Sequence, residues 1–397
     1  MSKRSTSDAA SDRPTIKGQA VSVGVVDRLR TYLVELPVRS PRRHGSGDVM
    51  TSICNVIVRL DTDSGLTGWG EASPWPVFTG TAEANAAALH THLAPWVLNR
   101  PASRITEIMH DAEHHLVGHP EAKTALETAL YDLCGKAAGL PLAELLGGRC
   151  RDAIPMSFSV ANPDFEADLE LITELYESGV RLFKLKTGFD SHTFDLMRIE
   201  KMKARFPQAE LRADYNQGLS AHDAPRILAD LDGLGLGFIE QPVPRIAKTA
   251  MIDLTARCAT PILADESVFT PAEAISAITD KVANLISIKI MKSGGLKNAQ
   301  TIAAIAESSG MACYGGDMFE TGLAHLAGTH MIAATPNISL GCEFYQANWY
   351  LERDLLSQRF PVENGNVIVP TTPGLGIDID EDALKSQTTE MQEATLE

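Results

Sequence analysis

Eight short apolar segments, each followed by a stretch with helical spacing, run from Ile154 to about residue 350. A parallel strand-and-helix alternation repeated eight times closes most naturally into a barrel, so this repeat constrains the fold more than any other feature. The predicted strands are, in chain order, IPMSFSV, RLFKLKT, ELRADYN, LGFIEQP, PILADES, LISIKIM, MACYGGD and NISLGCE. The helix after the eighth strand is predicted to be short or missing. The fold is therefore predicted to be an α/β barrel of the modified TIM type, (β/α)7β, over residues 151–350.

The sequence before the barrel has a different pattern. Residues 21–75 alternate apolar and polar positions between turn residues, as antiparallel strands do, and the spacing becomes helical from about residue 81 to residue 148. We predict a smaller α+β domain over residues 21–150, completed by the strand-like segment NGNVIVPTTPGLGIDID at about residues 360–385. A length of 397 residues suits a barrel with one such companion.

Both ends of the chain are polar and rich in small residues. Residues 1–20 contain no apolar core of a leader peptide and are predicted to be a disordered tail. The final segment, SQTTEMQEATLE, has no apolar alternation and is predicted to be equally untethered.

The charge balance limits the kinds of partner. The chain has 35 basic and 51 acidic residues, a net charge of −16, which argues against sequence-independent binding to nucleic acid or to an anionic membrane. No apolar run approaches the roughly 18 residues of a membrane span. Six scattered cysteines without a Cys-x-x-Cys pair indicate neither a zinc site nor a disulfide framework, so a cytoplasmic location is expected.

Ionisable residues stand near the carboxyl ends of the second to sixth predicted barrel strands. They are Lys186, Asp214, Glu240, Asp265 and Lys289, with successive gaps of 28, 26, 25 and 24 residues, one strand-and-helix unit each. Barrel active sites lie at this end of the strands. The three carboxylates form an all-oxygen set that suits a hard cation such as Mg²⁺, and without a cation they would repel one another. Each residue alone is better explained as a chance strand end or a helix cap, but five in phase predict a site.

The segment GVRLFKLKTGF places two lysines on one face of the second strand. Side chains alternate along a strand, so Lys184 and Lys186 point the same way, and an exposed edge strand is the simplest alternative explanation. In a barrel both would point into the site. Lys289 on the sixth strand would then lie across the barrel mouth from Lys186.

These residues belong to motifs with a family resemblance. The sequence resembles the enolase superfamily, in particular the mandelate racemase/muconate lactonizing enzyme family and its muconate lactonizing (cycloisomerase) subgroup, from about residue 19 to residue 382. The motifs GWGEAS, AKTALETALYDLCGKAAGLPLAELLGG, FKLKTG, ADYNQ, IEQP, ADES, IKIMKSGG, YGGDMFETG and VPTTPGLGIDID occur in the order that this subgroup shows.

The resemblance implies a role for each in-phase residue. Asp214, Glu240 and Asp265 would be ligands of Mg²⁺ or Mn²⁺, and Lys186 and Lys289 would be the two acid/base residues. Lys184 would be an electrostatic neighbour, while Glu320 and Asn216 would lie close to the substrate. The smaller domain would cap the barrel mouth, and the protein would be a homo-oligomer of two to eight subunits.

Two segments are expected to select the substrate. The loop SPRRHGSGD carries Arg42, Arg43 and His44 beside two glycines and would suit a mobile lid that reaches an anionic substrate; the alternative is a solvated basic turn. The cluster HHLVGHP (His114, His115 and His119) has no matching carboxylate and is interpreted as structural.

The segment after the eighth strand, CEFYQANWYLERDLL, is aromatic where muconate cycloisomerases are more aliphatic. Its aromatic side chains, with Trp75 and Phe78 of SPWPVF as a second wall, could hold an ammonium group by cation–π attraction. The alternative is ordinary packing between barrel and cap. The aromatic side chains of this segment are Phe344, Tyr345, Trp349 and Tyr350.

Three functions compete at this point. The first is a racemase or epimerase of an amino-acid or betaine-like carboxylate, a small-molecule substrate. The second is a muconate-type cycloisomerase or a dehydratase that uses the same enediolate, and the third is a metal-binding but non-catalytic relative. In the first two a lysine must be neutral to remove a proton from the carbon next to a carboxylate, and burial beside cations is expected to lower its pKa.

Overall fold

A four-stranded antiparallel sheet stands at the start of the described chain. The computed structural model describes residues 22–395, so the tail predicted over residues 1–20 lies outside the described residues. The order of this sheet is β17, β1, β4, β5, and a short hairpin of β2 and β3 interrupts it. The strands are β1 (Val26–Pro37), β2 (Arg42–His44), β3 (Gly47–Val49), β4 (Ser52–Thr62), β5 (Thr67–Ala72) and, at the far end of the chain, β17 (Thr388–Thr395).

Helices cover one face of this sheet. They are α1 (Ala82–Ala87), a π-helical turn (Ala88–Leu93), α2 (Ala94–Val97), α3 (Ile105–His115), α4 (Pro120–Ala138) and α5 (Leu142–Leu145). Helix α4 lies directly on β5, and the stripe of Ala125, Ala129 and Leu133 is fully buried there. A Cβ atom at Gly70 would stand 2.0 Å from the carbonyl oxygen of Ala125, so glycine is required for the helix to approach this closely.

The central sheet contains eight parallel strands in chain order. An isolated bridge between Met156 and Cys342 brings its two edges together and nearly closes the barrel. The predicted fold class is therefore confirmed. The strands are β7 (Ser157–Val160), β8 (Leu182–Lys186), β9 (Glu210–Asp214), β10 (Ile239–Glu240), β11 (Ile262–Ala264), β12 (Leu285–Ile288), β13 (Cys313–Gly315) and β14 (Ile338–Cys342).

Helices follow the barrel strands, and their apolar faces pack on the outside of the sheet. Only a four-residue helix follows the eighth strand, as predicted. The helices are α6 (Phe165–Glu177), α7 (His192–Arg205), α8 (Ala224–Leu231), α9 (Lys248–Arg257), α10 (Pro271–Thr279), α11 (Ile290–Ser293), α12 (Leu296–Ser308), α13 (Gly322–Ala333) and α14 (Gln346–Trp349). Within residues 22–395 no helix is long and apolar enough to cross a membrane.

The end of the chain returns to the first sheet. Strands β15 (Val362–Glu363) and β16 (Asn366–Ile368) pair with β6 (Ala153–Pro155), and α15 (Glu381–Gln387) leads into β17. The prediction that the C-terminal segment is untethered is wrong, because β17 forms an antiparallel ladder with β1 from Arg28 to Val34. Backbone hydrogen bonds hold this polar edge strand, and Arg30 contacts Glu393 at 2.6 Å.

Candidate active site

Strand register brings the in-phase residues to one rim of the barrel. Lys186 is the pairing partner of Asp214, and Asp214 is the partner of Glu240 on the next strand. Asp265 lies one residue beyond the end of β11, and Lys289 lies one residue beyond the end of β12. All five side chains are buried. The five residues chosen from sequence spacing therefore meet at the carboxyl ends of the strands.

Each of the three carboxylates contacts a lysine. The ammonium nitrogen of Lys186 is 2.6 Å from Asp214 Oδ2, and that of Lys289 is 2.7 Å from Asp265 Oδ2. Lys184 contacts Glu240 at 2.7 Å and Asp214 at 3.3 Å. In this arrangement the lysines supply the positive charge that the clustered carboxylates need.

The carboxylates differ in their pKa values. Burial raises the pKa of Asp214, but Lys186 and Lys184 outweigh burial and the net pKa is lowered. Burial and the charge of Asp214 raise the pKa of Glu240 to about 7. Glu240 therefore has too little positive charge nearby to keep its pKa low.

Contact with carboxylates also decides the pKa of a lysine. Burial lowers the pKa of Lys289, but the charges of Asp265 and Glu240 outweigh it, so the net pKa is raised. The prediction of a lowered pKa is wrong for Lys289, because the nearby carboxylates outweigh both burial and the charge of Lys184.

The carboxylate set fits a hard divalent cation. Asp214, Glu240 and Asp265 offer only oxygen atoms, and the buried Glu240 Oε1 has no hydrogen-bond partner among the residues that the structure describes. Within residues 22–395 no three acidic, histidine or cysteine side chains are arranged as they would be around a bound metal ion. The three carboxylates contact the lysines instead. The chemistry of the donors therefore fits the cation, and these three residues could hold it.

A small cavity opens beside these groups, between the barrel mouth and the loops of the first domain. Lys186 and Lys289 both line it, from the second and sixth of eight strands, which lie across a barrel from each other. Lys184 does not line it and is fully buried beneath the carboxylates. A molecule in the cavity would therefore have one lysine on each side.

Aromatic rings form the roof of the cavity. Trp75, Phe78 and Phe319 line it together with His44, and the His44 ring stands edge-on to Trp75 at 5.1 Å and to Phe319 at 5.5 Å. Phe78 lies 4.8 Å from the ammonium nitrogen of Lys289. Burial and the charge of Lys186 hold the pKa of His44 well below its usual range, so the imidazole is neutral at pH 7.

The hairpin of β2 and β3 brings His44 to the cavity but keeps Arg42 out of it. The Arg42 guanidinium is buried between the rings of Tyr350, at 4.6 Å, and Tyr345, at 5.1 Å, and donates a hydrogen bond to the carbonyl oxygen of Ser159 at 2.6 Å. The structure does not place Arg42 at the cavity, where the sequence led us to expect it. Two of the aromatic rings expected to hold a ligand, Tyr345 and Tyr350, therefore hold an arginine of the chain itself, although Tyr345 also lines the cavity.

Asn216 and Trp349 differ in their relation to the cavity. Asn216 lines it and has a backbone φ of 41°, an uncommon value for a residue other than glycine and one that often occurs at functional sites. Trp349 does not line the cavity; its ring faces Arg359, whose guanidinium lies 5.5 Å away. The structure therefore does not place Trp349 at the cavity, where the sequence led us to expect it.

Two carboxylates that the sequence reasoning missed line the cavity. Asp317 follows the seventh strand and Glu343 follows the eighth, at gaps of 28 and 26 residues after Lys289 and Asp317. Glu343 Oε2 is 2.7 Å from the Lys184 ammonium nitrogen. Asp317 Oδ2 is buried and accepts no hydrogen bond within the described part of the chain, and burial together with the charge of Glu343 raises the pKa of Asp317 well above its usual range.

Glu320 lies directly behind the acidic wall that Asp317 and Glu343 form. It is buried, does not line the cavity and accepts a hydrogen bond from the Met318 amide through Oε1. His325 Nε2 stands 3.6 Å from Asp317 Oδ2 and 3.8 Å from Glu320 Oε2. Burial lowers the pKa of His325 to about 4, so this imidazole brings no positive charge to the wall at pH 7.

The whole cluster has an excess of acidic groups. Seven buried carboxylates stand against four buried lysines; with all of them ionised the cluster carries three excess negative charges, and one divalent cation would reduce the excess to one. The carboxylates are Asp214, Glu240, Asp265, Glu266, Asp317, Glu320 and Glu343, and the lysines are Lys184, Lys186, Lys289 and Lys292.

The histidines of HHLVGHP lie apart from this site. His115 stacks on Trp96 with ring centroids 3.5 Å apart, and His114 packs against His110 at 4.1 Å. None of these side chains lines the cavity. Their contacts agree with the structural interpretation.

Most of the chain is similar to known protein families and to solved structures. Residues 29–147 match the family described as mandelate racemase/muconate lactonizing enzyme, N-terminal domain, and residues 167–383 match the enolase C-terminal domain-like family. The chain is 36% identical to the L-Ala-D/L-Glu epimerase of Bacillus subtilis (strain 168), over 88% of this chain and 96% of that protein. It is 32% identical to a chloromuconate cycloisomerase of Pseudomonas putida, over 91% of this chain and 98% of that one. Among solved structures, a muconate cycloisomerase from Azorhizobium caulinodans is 45% identical with a TM-score of 0.81, over 92% of this chain and 98% of that one.

Proposed function

Because the chain belongs to the mandelate racemase/muconate lactonizing enzyme family and is an enolase-superfamily isomerase, we propose that it racemises or epimerises a small carboxylate whose α-carbon carries an ammonium group. The observation that carries this proposal is Asp317 in the wall of the cavity, whose buried Oδ2 accepts no hydrogen bond from any residue between 22 and 395. A buried carboxylate costs free energy unless a cation pairs with it. An amino-acid or betaine-like substrate brings that cation.

We propose that a divalent cation, Mg²⁺ or Mn²⁺, binds to Asp214, Glu240 and Asp265. When bound, such a cation stabilises negative charge that develops on the oxygens of a carboxylate substrate. Glu240 Oε1, buried and unpartnered in the described residues, supports this assignment.

In the proposed reaction the lysines move one proton each. Neutral Lys186 takes the proton from the α-carbon, the electron pair of the broken C–H bond moves into the carboxylate, and an enediolate forms. The ammonium group of Lys289 then returns a proton to the same carbon from the other face, and the configuration is inverted. Burial lowers the pKa of Lys184, but the charges of Glu240 and Glu343 outweigh burial and raise it well above the usual range, so Lys184 stays protonated.

The charge of the wall separates this function from its alternatives. A muconate-type cycloisomerase binds a dicarboxylate, which brings no cation to Asp317 and would place a second carboxylate beside Asp317 and Glu343. The 45% identity to a muconate cycloisomerase keeps this reaction as the second candidate, with a dehydratase that uses the same enediolate. A non-catalytic relative is disfavoured because both lysines line the cavity.

The charge of Asp317 is testable with a pair of substrates. Asp317→Asn is expected to lower kcat/KM for α-proton exchange of N,N,N-trimethyl-L-alanine in D2O about a hundredfold, since removing one partner of a buried charge pair has effects of this size. Asp280→Asn, a change on the barrel surface, is the matched control. Formation of lactone from cis,cis-muconate by the wild type, with no exchange of the ammonium substrate, would favour the cycloisomerase instead.

Three further predictions from the sequence stay predictions. They are the domain limits at residues 21–150 and 151–350, the homo-oligomeric assembly, and the cytoplasmic location. None of them enters the proposed chemistry.

A further inference from the structure

A carboxylate of the first domain is hydrogen-bonded into the barrel. Glu71, near the end of β5, is 1% exposed, and its two oxygens accept five hydrogen bonds. The donors are Asn55 Nδ2 at 2.8 Å, Ser73 Oγ at 2.8 Å, Thr321 N at 2.9 Å, Thr321 Oγ1 at 2.5 Å and Ala324 N at 3.0 Å. The carboxylate is therefore fully satisfied although it is removed from water.

Three of these bonds reach the start of helix α13. Thr321 is the N-cap of this helix and Ala324 lies in its first turn, where backbone N–H groups lack partners within the helix and favour a negative charge. The loop directly before Thr321 carries Asp317, Met318 and Phe319, all of which line the cavity. Glu71 thus fixes the point at which the acidic wall joins its helix.

A second connection runs parallel to the first. Asn55 on β4 donates one hydrogen bond to Glu71 Oε1 and another, at 2.8 Å, to the carbonyl oxygen of Phe319. Two adjacent strands of the first domain therefore bind the loop of residues 317–321 through both its backbone and its helix cap.

The backbone of Glu71 is held in the sheet. It pairs with Ile57 on β4, and the glycine before it lies close to the backbone of α4, where a Cβ atom would stand 2.0 Å from the Ala125 carbonyl oxygen. The carboxylate therefore extends from a closely packed part of the first domain.

We propose that Glu71 is a positioning residue, which holds the loop of residues 317–321 so that Asp317 faces the substrate. Glu71 does not line the cavity and so acts only through this loop. The identity of the group that Asp317 recognises rests on the proposed function, whereas the role of Glu71 as a clamp does not.

Hydrogen–deuterium exchange of the backbone tests the clamp without any substrate. In Glu71→Gln one oxygen becomes an NH2 group. In the place of Oε2 this group cannot accept from the Ala324 amide, whose exchange is expected to be at least about tenfold faster. Glu35→Gln is the matched control, since Glu35 lies in the same sheet and its side chain bonds, among the described residues, only to Ser52. Unchanged exchange at residues 321–324, or an equal increase throughout β5 and α4, would overturn the proposal.

A second variant pair covers the case in which Glu71→Gln does not fold. Thr321→Val leaves Glu71 in place but removes the hydroxyl, which donates to Glu71 Oε2 and accepts from the Leu323 amide, and Thr321→Ser keeps both bonds. Faster exchange at Ala324 is expected in the valine variant, and wild-type exchange is expected in the serine variant. Equal behaviour of the two variants would count against the clamp.

Kinetics with N,N,N-trimethyl-L-alanine then test the consequence for substrate binding. A misplaced wall weakens the binding of the substrate and of the transition state alike. Glu71→Gln is therefore expected to raise KM about tenfold and to leave kcat within about threefold of the wild-type value. A fall in kcat with an unchanged KM would contradict the positioning role. If the wild-type enzyme does not exchange this compound, the proposed function fails, and the exchange of the backbone amides still decides the clamp.

Discussion

Lys186→Met is expected to lower turnover by at least about a hundredfold, the loss typical of removing a general base. Methionine keeps most of the length and volume of the lysine stem but cannot accept a proton. Lys186 lines the cavity and contacts only Asp214 among the carboxylates of the rim, so the fold should survive the change. Circular dichroism and the melting temperature should remain close to those of the wild type.

The neighbouring lysine provides the matched control. Lys184 is fully buried and contacts Asp214, Glu240 and Glu343. Lys184→Met leaves these carboxylates without their shared ammonium group, so a loss of about 3–5 kcal/mol in the free energy of unfolding is expected. A stable Lys184→Met protein without activity, beside an active Lys186→Met protein, would show that the base is misassigned.

Removal of divalent cations is expected to lower turnover about a thousandfold, because stabilising the charge of an enediolate accounts for several kcal/mol of the barrier. Asp214→Asn, Glu240→Gln and Asp265→Asn should each weaken Mg²⁺ binding in calorimetric titration while the barrel still folds. Zn²⁺, which prefers nitrogen and sulfur ligands, should substitute poorly. Full activity in excess EDTA after exhaustive dialysis would contradict the metal assignment.

The same assignment predicts an effect that does not depend on turnover. A cation that binds only the folded protein stabilises it by about 2.7 kcal/mol at a concentration of 100 Kd. Mg²⁺ should therefore raise the melting temperature of the wild type, and the rise should be smaller in Glu240→Gln.

Much of the barrel rim could be predicted because its geometry repeats along the sequence. One strand-and-helix unit separates each of Lys186, Asp214, Glu240, Asp265 and Lys289 from the next, and register then places their side chains together. The same spacing continues through two further strands. Because the family resemblance indicated Glu320, which lies behind the wall, Asp317 and Glu343 in the wall were not predicted.

Contacts between distant segments could not be predicted in this way. Arg42 is basic and follows a proline in a loop, which suggests exposure, yet it packs between Tyr345 and Tyr350, some 300 residues later in the chain. The strand β17 carries no apolar alternation, because its pairing with β1 depends on backbone groups that every residue has. Both features depend on tertiary structure and leave no local pattern.

The central claim is that two lysines act on opposite faces of one α-carbon, and α-proton exchange in D2O tests it most directly. Both enantiomers of N,N,N-trimethylalanine would be followed by NMR with the wild type, Lys186→Ala and Lys289→Ala. The wild type should exchange and invert both enantiomers. Lys289→Ala should exchange only the enantiomer that faces Lys186, without inversion, and Lys186→Ala should exchange only the other. The contradicting result has two parts. The wild type exchanges neither enantiomer, and it converts cis,cis-muconate to lactone in a reaction that is lost in only one of the two lysine variants.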